Sequence, residues 1–383
     1  MRILMIVRQF YPWVGGAERQ TQKLAAKLIE LGLDVNIVTG WWFRGTPRQE
    51  IIDTVPVFRN FTCWQMFGIK GLRKFGGYLY ILSLFWYLWK HRHEYDLIHV
   101  HLLSYAALSA VLAGRWLGKK TIIKISNSGQ DSDIRRMQEN DMLPGQRQML
   151  PVTLRADQMV AINRKIIDEL RQVGVPAERI LTIPNGVETN GSDYKTDYKL
   201  DNTATLVFVG RLHPQKGLNV LLPAFKQVIE KKPNVEWRLW LVGDGPLRAE
   251  LEAMAQQLGI AGAVKFWGKV DDVPSYLAQA DMFVLPSRAE GMSNALLEAM
   301  AYGLPCVATR ISGNVDLIQH EQNGLLVSPQ SETDLAKAIV RLAGDETLRH
   351  KIGRSARCTV ETEYSIDSVA QKYIELYHTL LQT

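Results

Sequence analysis

The chain has 383 residues, more than one hydrophobic core usually serves, so two domains are expected. Its 46% hydrophobic and 22% charged residues are ordinary for a globular protein and exclude long disorder. The net charge of +6 is unevenly held: 25 Lys and Arg face 16 Asp and Glu up to Asn190, against 20 and 23 after it. A basic front half points to an anionic partner, whether nucleotide phosphates, a lipid phosphate or a membrane surface. Cys63, Cys306 and Cys358 are scattered, odd in number and without metal spacing, which reads as free thiols in a reducing compartment.

The start, Met1 to Val7, is too short an apolar stretch for a signal sequence and reads as a buried strand over Ile3–Val7. A loop through Gly15-Gly16 leads to a helix from about Ala17 to Leu31, where Thr21, Leu24, Leu28 and Leu31 recur at helical spacing and Gly32 closes the run. The next strand is Val35–Thr39. Strand, Gly-rich loop, helix and strand open a doubly wound α/β domain. Gly15 and Gly16 either let backbone approach a ligand where a Cβ would collide, or simply make a tight turn. A dinucleotide site is poorly supported, because no Gly-x-Gly-x-x-Gly is present.

From Thr54 to His93 there is no acidic residue, and Arg59, Lys70, Arg73, Lys74, Lys90 and Arg92 sit among eleven aromatics from Phe58 to Trp89. The apolar run Tyr78–Trp89 is too short to span a bilayer. Two readings stand: a segment lying in a membrane interface, or a core helix with a solvated basic face. Nucleic acid is not expected, since no recognisable module accompanies the pattern. Asp96–His101 is a further strand, in which His99 and His101 share one face. His101 lies nearer the carboxyl end, where ligands of such sheets sit, although a packed histidine is the plain alternative. After a strand at Thr121–Ser126, Asp131 and Asp133 read as loop carboxylates, and no metal site is expected. Asp157–Ala161 is a short strand, and the polar run Glu188–Asn202 reads as a linker.

In the back half, Leu206–Val209 begins a second strand–loop–helix series. Its loop, Gly210 to Gly217, lets Arg211 and Lys216 converge where a helix begins, a fitting seat for a diphosphate. Strands follow at Arg238–Val242, Val264–Trp267 and Phe283–Leu285. A helix is expected over Asn294–Tyr302, with Ser293 or Asn294 as its cap and Gly303-Leu304-Pro305 as its stop. Glu290 on the loop and Glu298 one turn inside that helix can reach the two ends of one ligand lying across the helix start. Pro305–Thr309 is the next strand, and the stretch from about Ser365 to Thr383 closes the chain as a helix.

Glu290-Gly291, Asn294-Ala295-Leu296-Leu297-Glu298-Ala299-Met300 and Gly303-Leu304-Pro305 together resemble the Glu-x7-Glu signature of the retaining group 1 (GT4-type) glycosyltransferases. Gly-Arg-Leu-x-x-x-Lys-Gly at residues 210–217 and Pro-x-x-Gly-Gly-Ala-Glu at 12–18 resemble the same family. The resemblance implies an α/β GT-B fold: two doubly wound Rossmann-like domains facing an interdomain cleft. An acceptor domain is expected over residues 1–188 and a nucleotide-sugar domain over 203–364, with the helix at 365–383 packing back on the first. It implies that Glu290 contacts the donor sugar, Glu298 holds the ribose, and amides of Ser293, Asn294, Ala295 and Leu296 bind the diphosphate with Arg211 and Lys216. Backbone near Gly268 and Val270 would meet the base, Gly15 and Gly16 would face donor phosphates and acceptor, and His101 would line the reacting side. Many relatives carry a His between residues 126 and 133, and this chain has none, so acceptor contacts inferred there do not transfer.

The activity implied is metal-independent, cofactor-free transfer of a hexose from a nucleotide-diphosphate sugar to a glycan or lipid-linked acceptor, with retention of configuration. Such a protein is expected in the cytoplasm, with peripheral contact at the inner membrane face through residues 58–93, in cell-surface polysaccharide or glycolipid synthesis. A sugar-nucleotide epimerase on the same architecture, or a non-catalytic relative, are the alternatives. Sugar, base and acceptor are not legible.

Overall fold

The computed structural model describes residues 1–12, 15–43, 45–62, 73–140, 143–189 and 194–382. Trp13 and Val14 of the first loop, Cys63, Trp64, Phe67 and Lys70 of the basic aromatic stretch, and part of the polar run after Glu188 lie outside them. The chain divides into two compact units, Met1–Gly186 with Ile366–Thr383, and Val187–Ser365.

The front unit carries β1 (Arg2–Val7), α1 (Gly16–Glu30), β2 (Asp34–Gly40), β3 (Gln49–Ile52), β4 (Val55–Asn60), α2 (Arg73–Lys90), β5 (Leu97–His101), α3 (Tyr105–Leu117) and β6 (Lys120–Ile125). It continues with α4 (Asp133–Gln138), α5 (Gln146–Thr153), β7 (Gln158–Ala161), α6 (Arg164–Gln172) and β8 (Ile180–Thr182). The back unit carries β9 (Thr203–Val209), α7 (Leu218–Lys231), β10 (Glu236–Val242), α8 (Arg248–Gln257), β11 (Val264–Gly268), α9 (Val273–Gln279), β12 (Met282–Leu285) and α10 (Asn294–Ala301). After β13 (Cys306–Thr309), α11 (Ser312–Val315), β14 (Leu325–Val327), α12 (Glu332–Gly344) and α13 (Glu346–Thr359), the last helix, α14 (Ile366–Gln382), returns to the front unit.

The front sheet has the order β3-β4-β2-β1-β5-β6-β7-β8, parallel except where β3 runs against β4. Its central strands are buried on both faces, which is why they read as unbroken apolar runs. Leu24 and Leu28 of α1 and Val369, Tyr373, Tyr377 and Leu380 of α14 share one core with Met5, Val7, Leu97 and Ile122. In α14 those residues recur at three- and four-residue spacing, so one stripe of the helix is apolar and packs. Each such buried side chain contributes about 1.5–3 kcal/mol. Lys27 Nζ fixes the start of α14 with an ion pair to Asp367 at 3.1 Å.

The back sheet is wholly parallel, in the order β11-β10-β9-β12-β13-β14. The polar run expected as a free linker is partly structured here. Lys195 pairs with Asp281 at 2.9 Å, and the Tyr198 hydroxyl donates to Gly303 O at 2.9 Å. Residues 194–202 are therefore part of the back unit, held by polar anchors that low hydrophobicity conceals. No helix among the described residues is long and apolar enough to cross a membrane.

Candidate nucleotide-sugar site

Both central strands of the back sheet, β9 and β12, end in loops that touch. Gly217 closes the first loop at φ +68°, a conformation that favours glycine, and a Cβ there would stand 2.1 Å from Pro286 O. Gln215 ties the loops twice: its side-chain amide donates to Ala289 O at 2.9 Å, and its carbonyl accepts from Arg288 N at 2.8 Å. Behind the second loop, a Cβ on Gly313 would lie 2.5 Å from Gly291 O, so α11 backs the Glu290–Gly291 turn at backbone distance.

This frame brings Lys216 and Glu290 together. Lys216 Nζ donates to Glu290 Oε1 at 2.6 Å, and the same oxygen accepts from Ser287 Oγ at 2.6 Å. The side chains are 20% and 9% exposed, so the ammonium is held at an opening while its partner is nearly covered. Glu290 Oε2 has no hydrogen-bond partner among the described residues, which leaves an acceptor for a ligand hydroxyl.

Three residues on, Ser293 caps α10, its hydroxyl accepting from Leu296 N at 3.3 Å. Leu296 N–H is thus committed to the cap, whereas Ala295 N–H has no hydrogen-bond partner among the described residues. Asn294, Ala295 and Glu298 are half-buried on the first turns. A helix N-terminus beside a lysine offers an anion directed N–H groups, partial positive charge and a full cation in one place.

Arg211 is on the same loop as Lys216 but exposed, and it makes no ion pair among the described residues. Gly268 and Val270 lie at and beyond the end of the edge strand β11, separated from β9 by β10. The Gly268 carbonyl accepts from Gly243 N at 2.8 Å. Sequence reasoning missed Gln215 and Ser287. Both fall at unassigned positions of their motifs; the role of Gln215 depends on a contact with a loop 74 residues away, and Ser287 reaches Glu290 within its own loop.

The expected residues of the front unit have a different character. Gly15 caps α1 with φ −101°, and its N–H donates to Glu18 Oε2 at 2.9 Å; Gly16 opens the helix. His99 and His101 do share a face, with ring centroids 4.1 Å apart. Both rings are buried, and burial holds both imidazoles well below their ordinary pKa. His99 Nδ1 lies 2.8 Å from the Tyr377 hydroxyl, while Nε2 of each histidine is buried without a hydrogen-bond partner among the described residues. Beside them Lys124 is 3% exposed, its ammonium pKa pushed down to about 7 by burial, with Nζ 5.9 Å from the Tyr373 ring centre.

Asp133 accepts from Ser126 N, Asn127 N and Asn127 Nδ2 at 2.8–3.3 Å and so shapes its own loop. Asp131 pairs with Arg136.

In the basic aromatic stretch, α2 buries Tyr80, Leu84 and Leu88 completely. Its opposite side exposes Leu82 (66%) and Trp86 (60%), beside Trp116 (64%) of α3, whose ring stacks on Phe85 at 5.8 Å. The helix is therefore core on one face and openly apolar on the other.

Residues 14–190 match the family model for Glycosyltransferase Family 4, and residues 203–345 match that for Glycosyl transferases group 1. The N-acetyl-alpha-D-glucosaminyl L-malate synthase of Bacillus anthracis is 26% identical over 381 residues, covering 97% of this chain and 96% of that one. The Escherichia coli UDP-Gal:alpha-D-GlcNAc-diphosphoundecaprenol alpha-1,3-galactosyltransferase is 31% identical across 54% of this chain and 56% of its own. The crystal structure of Anabaena HepE in complex with UDP superposes with a TM-score of 0.77 at 21% identity, covering 99% of this chain and 100% of that one. The two units thus carry the two characteristic parts of one family, on the GT-B fold, and the chain belongs to the group 1, family 4 glycosyltransferases.

Proposed function

We propose that the protein transfers a sugar from a nucleotide-diphosphate sugar to a glycan or lipid-linked acceptor, with retention of anomeric configuration, in cell-surface polysaccharide or glycolipid synthesis. The observation that carries this reading is the Lys216–Glu290 pair beside the start of α10. Lys216, Arg211 and the Ala295 amide would hold the diphosphate and steady the negative charge that builds on it as the sugar leaves. These groups supply the positive charge such a departure needs, so transfer is expected to proceed without a metal ion. Glu290 Oε2 would accept from a sugar hydroxyl, and Glu298 from the ribose. His101, neutral because it is buried, would line the reacting side as a hydrogen-bonding group rather than a cation. Retention follows from a same-face route in which the leaving phosphate takes the acceptor proton.

A panel of nucleotide sugars, screened for thermal stabilisation and followed by product analysis in EDTA, tests this reading. One donor should stabilise the protein and yield a product of unchanged anomeric configuration. Conversion of donor without acceptor would instead indicate an epimerase.

We further propose that Leu82, Trp86 and Trp116, flanked by exposed Lys90 and Arg115, rest on an anionic membrane surface at the inner face. Co-sedimentation with phosphatidylglycerol vesicles should fall sharply in a Trp86→Glu, Trp116→Glu variant.

A further inference from the structure

On the same face of the back sheet as α9, the edge strand β11 and its neighbour β10 leave a recess of about 460 Å³, which reaches Val270 but none of the groups around Lys216 and Glu290. Its wall is aromatic. Trp240, Trp267 and Tyr276 meet edge to face, with ring centroids 4.9–6.1 Å apart and planes 70–85° from one another. Its rim is polar. Asp271 is exposed and has no ion pair or hydrogen bond among the described residues. Gln279 uses its amide nitrogen on Ser275 O at 2.9 Å and keeps its carbonyl oxygen open. Trp267 Nε1 is itself buried and has no hydrogen-bond partner among the described residues.

We propose that this recess is a secondary binding site for a neutral glycan, holding part of the acceptor or product chain away from the reacting centre. Three chemical features select that ligand. Rings set at steep angles make a curved apolar corner, which suits the C–H faces of a pyranose, whereas a flat base needs a parallel slot. Lys265 Nζ sits 3.6 Å from the centre of the Trp267 ring and occupies one face of it, removing that face as a platform for a base. The rim is anionic through Asp271 and Asp272, which repels a nucleotide diphosphate while accepting from sugar hydroxyls. Asp272 itself is engaged at the start of α9, accepting from Ser275 N at 3.2 Å, so Asp271 and Gln279 remain for the ligand. The volume falls within the range of small-molecule sites, enough for one or two sugar rings.

The proposal rests on the glycosyltransferase reading only for the nature of its ligand, and its test does not pass through activity. In the full-length protein labelled with 5-fluorotryptophan, the resonances of Trp240 and Trp267 are assigned by Trp→Phe substitution. They are then followed on titration with malto-, cello- and N-acetylchito-hexaose, and separately with UDP. At least one hexaose should shift both resonances, with affinity about tenfold weaker in Trp240→Ala and in Asp271→Ala, while UDP affinity stays at the parent value in both variants. The exposed Asp271→Ala change keeps the test valid should Trp240→Ala fail to fold. No shift with any hexaose overturns the proposal and leaves the donor site untouched. Shifts with UDP alone, or equal loss of UDP affinity in the variants, overturn it too, by making the recess part of the nucleotide site.

Discussion

The two units place their polar groups in opposite circumstances. In the back unit, Lys216 and Glu290 are paired and hydrogen-bonded, with the lysine at an opening and its partner nearly covered. In the front unit, His99, His101 and Lys124 crowd together with no carboxylate partner among the described residues, and burial drives all three toward their neutral forms. The difference teaches how one fold serves two chemistries. An oppositely charged partner stands beside the cation in one unit, and where burial leaves none, the neutral form is favoured.

The strongest way to break this comparison is to remove the exposed cation. Lys216→Ala should lower turnover by about 10²–10³-fold, the range for losing one preorganised charge stabiliser. Steady-state kinetics with the best donor measures it, and full activity would end the account. Glu298→Ala sharpens it. Donor KM should rise about tenfold with kcat nearly kept, as for a binding contact made equally before and during reaction. An equal fall in kcat would move Glu298 into the chemistry.

Lys124 tests the buried side. Its pKa falls from 10.5 to about 7 on folding, so between those values the unfolded chain binds the extra proton. Stability then rises with pH across that window, and Lys124 costs most at and below pH 7. Lys124→Met should therefore stabilise the protein at pH 7 by about a few kcal/mol and flatten the slope up to pH 10. Urea denaturation at pH 7 and pH 9 reads both. A destabilised variant with an unchanged slope would mean that the lysine keeps its charge. The smallest effect belongs to Ser293→Ala, which should cost about 1 kcal/mol in the same assay by removing the cap of α10.

Much of this was legible in the sequence, for identifiable reasons. Parallel strands buried on both faces read as apolar runs, and α10 was bounded by its serine cap and Gly-Leu-Pro stop within a residue of the observed end. The shared face of His99 and His101 followed from strand alternation alone. The β3–β4 hairpin was missed because its turn is made by Asp53 and Thr54, both at positive φ, where Asn-Gly or Asp-Gly would have announced it. The exposed strand β3 also lacks an apolar run. Of the two readings of α2, the structure bears out the core face, at Tyr80, Leu84 and Leu88; spacing shows where apolar residues fall but not which face finds a neighbour. Lys124 carried no signal, because a lysine inside an apolar strand reads as an edge or a strand end until its surroundings are seen.

The central claim is that Lys216 and the start of α10 hold a nucleoside diphosphate, and titration calorimetry tests it most directly. Affinities of uridine and UDP, and of the guanosine and adenosine pairs, are compared in the parent and in Lys216→Ala. The account predicts that the preferred diphosphate outbinds its nucleoside in the parent and that this advantage largely disappears in the variant. An advantage of the same size in both proteins would contradict it.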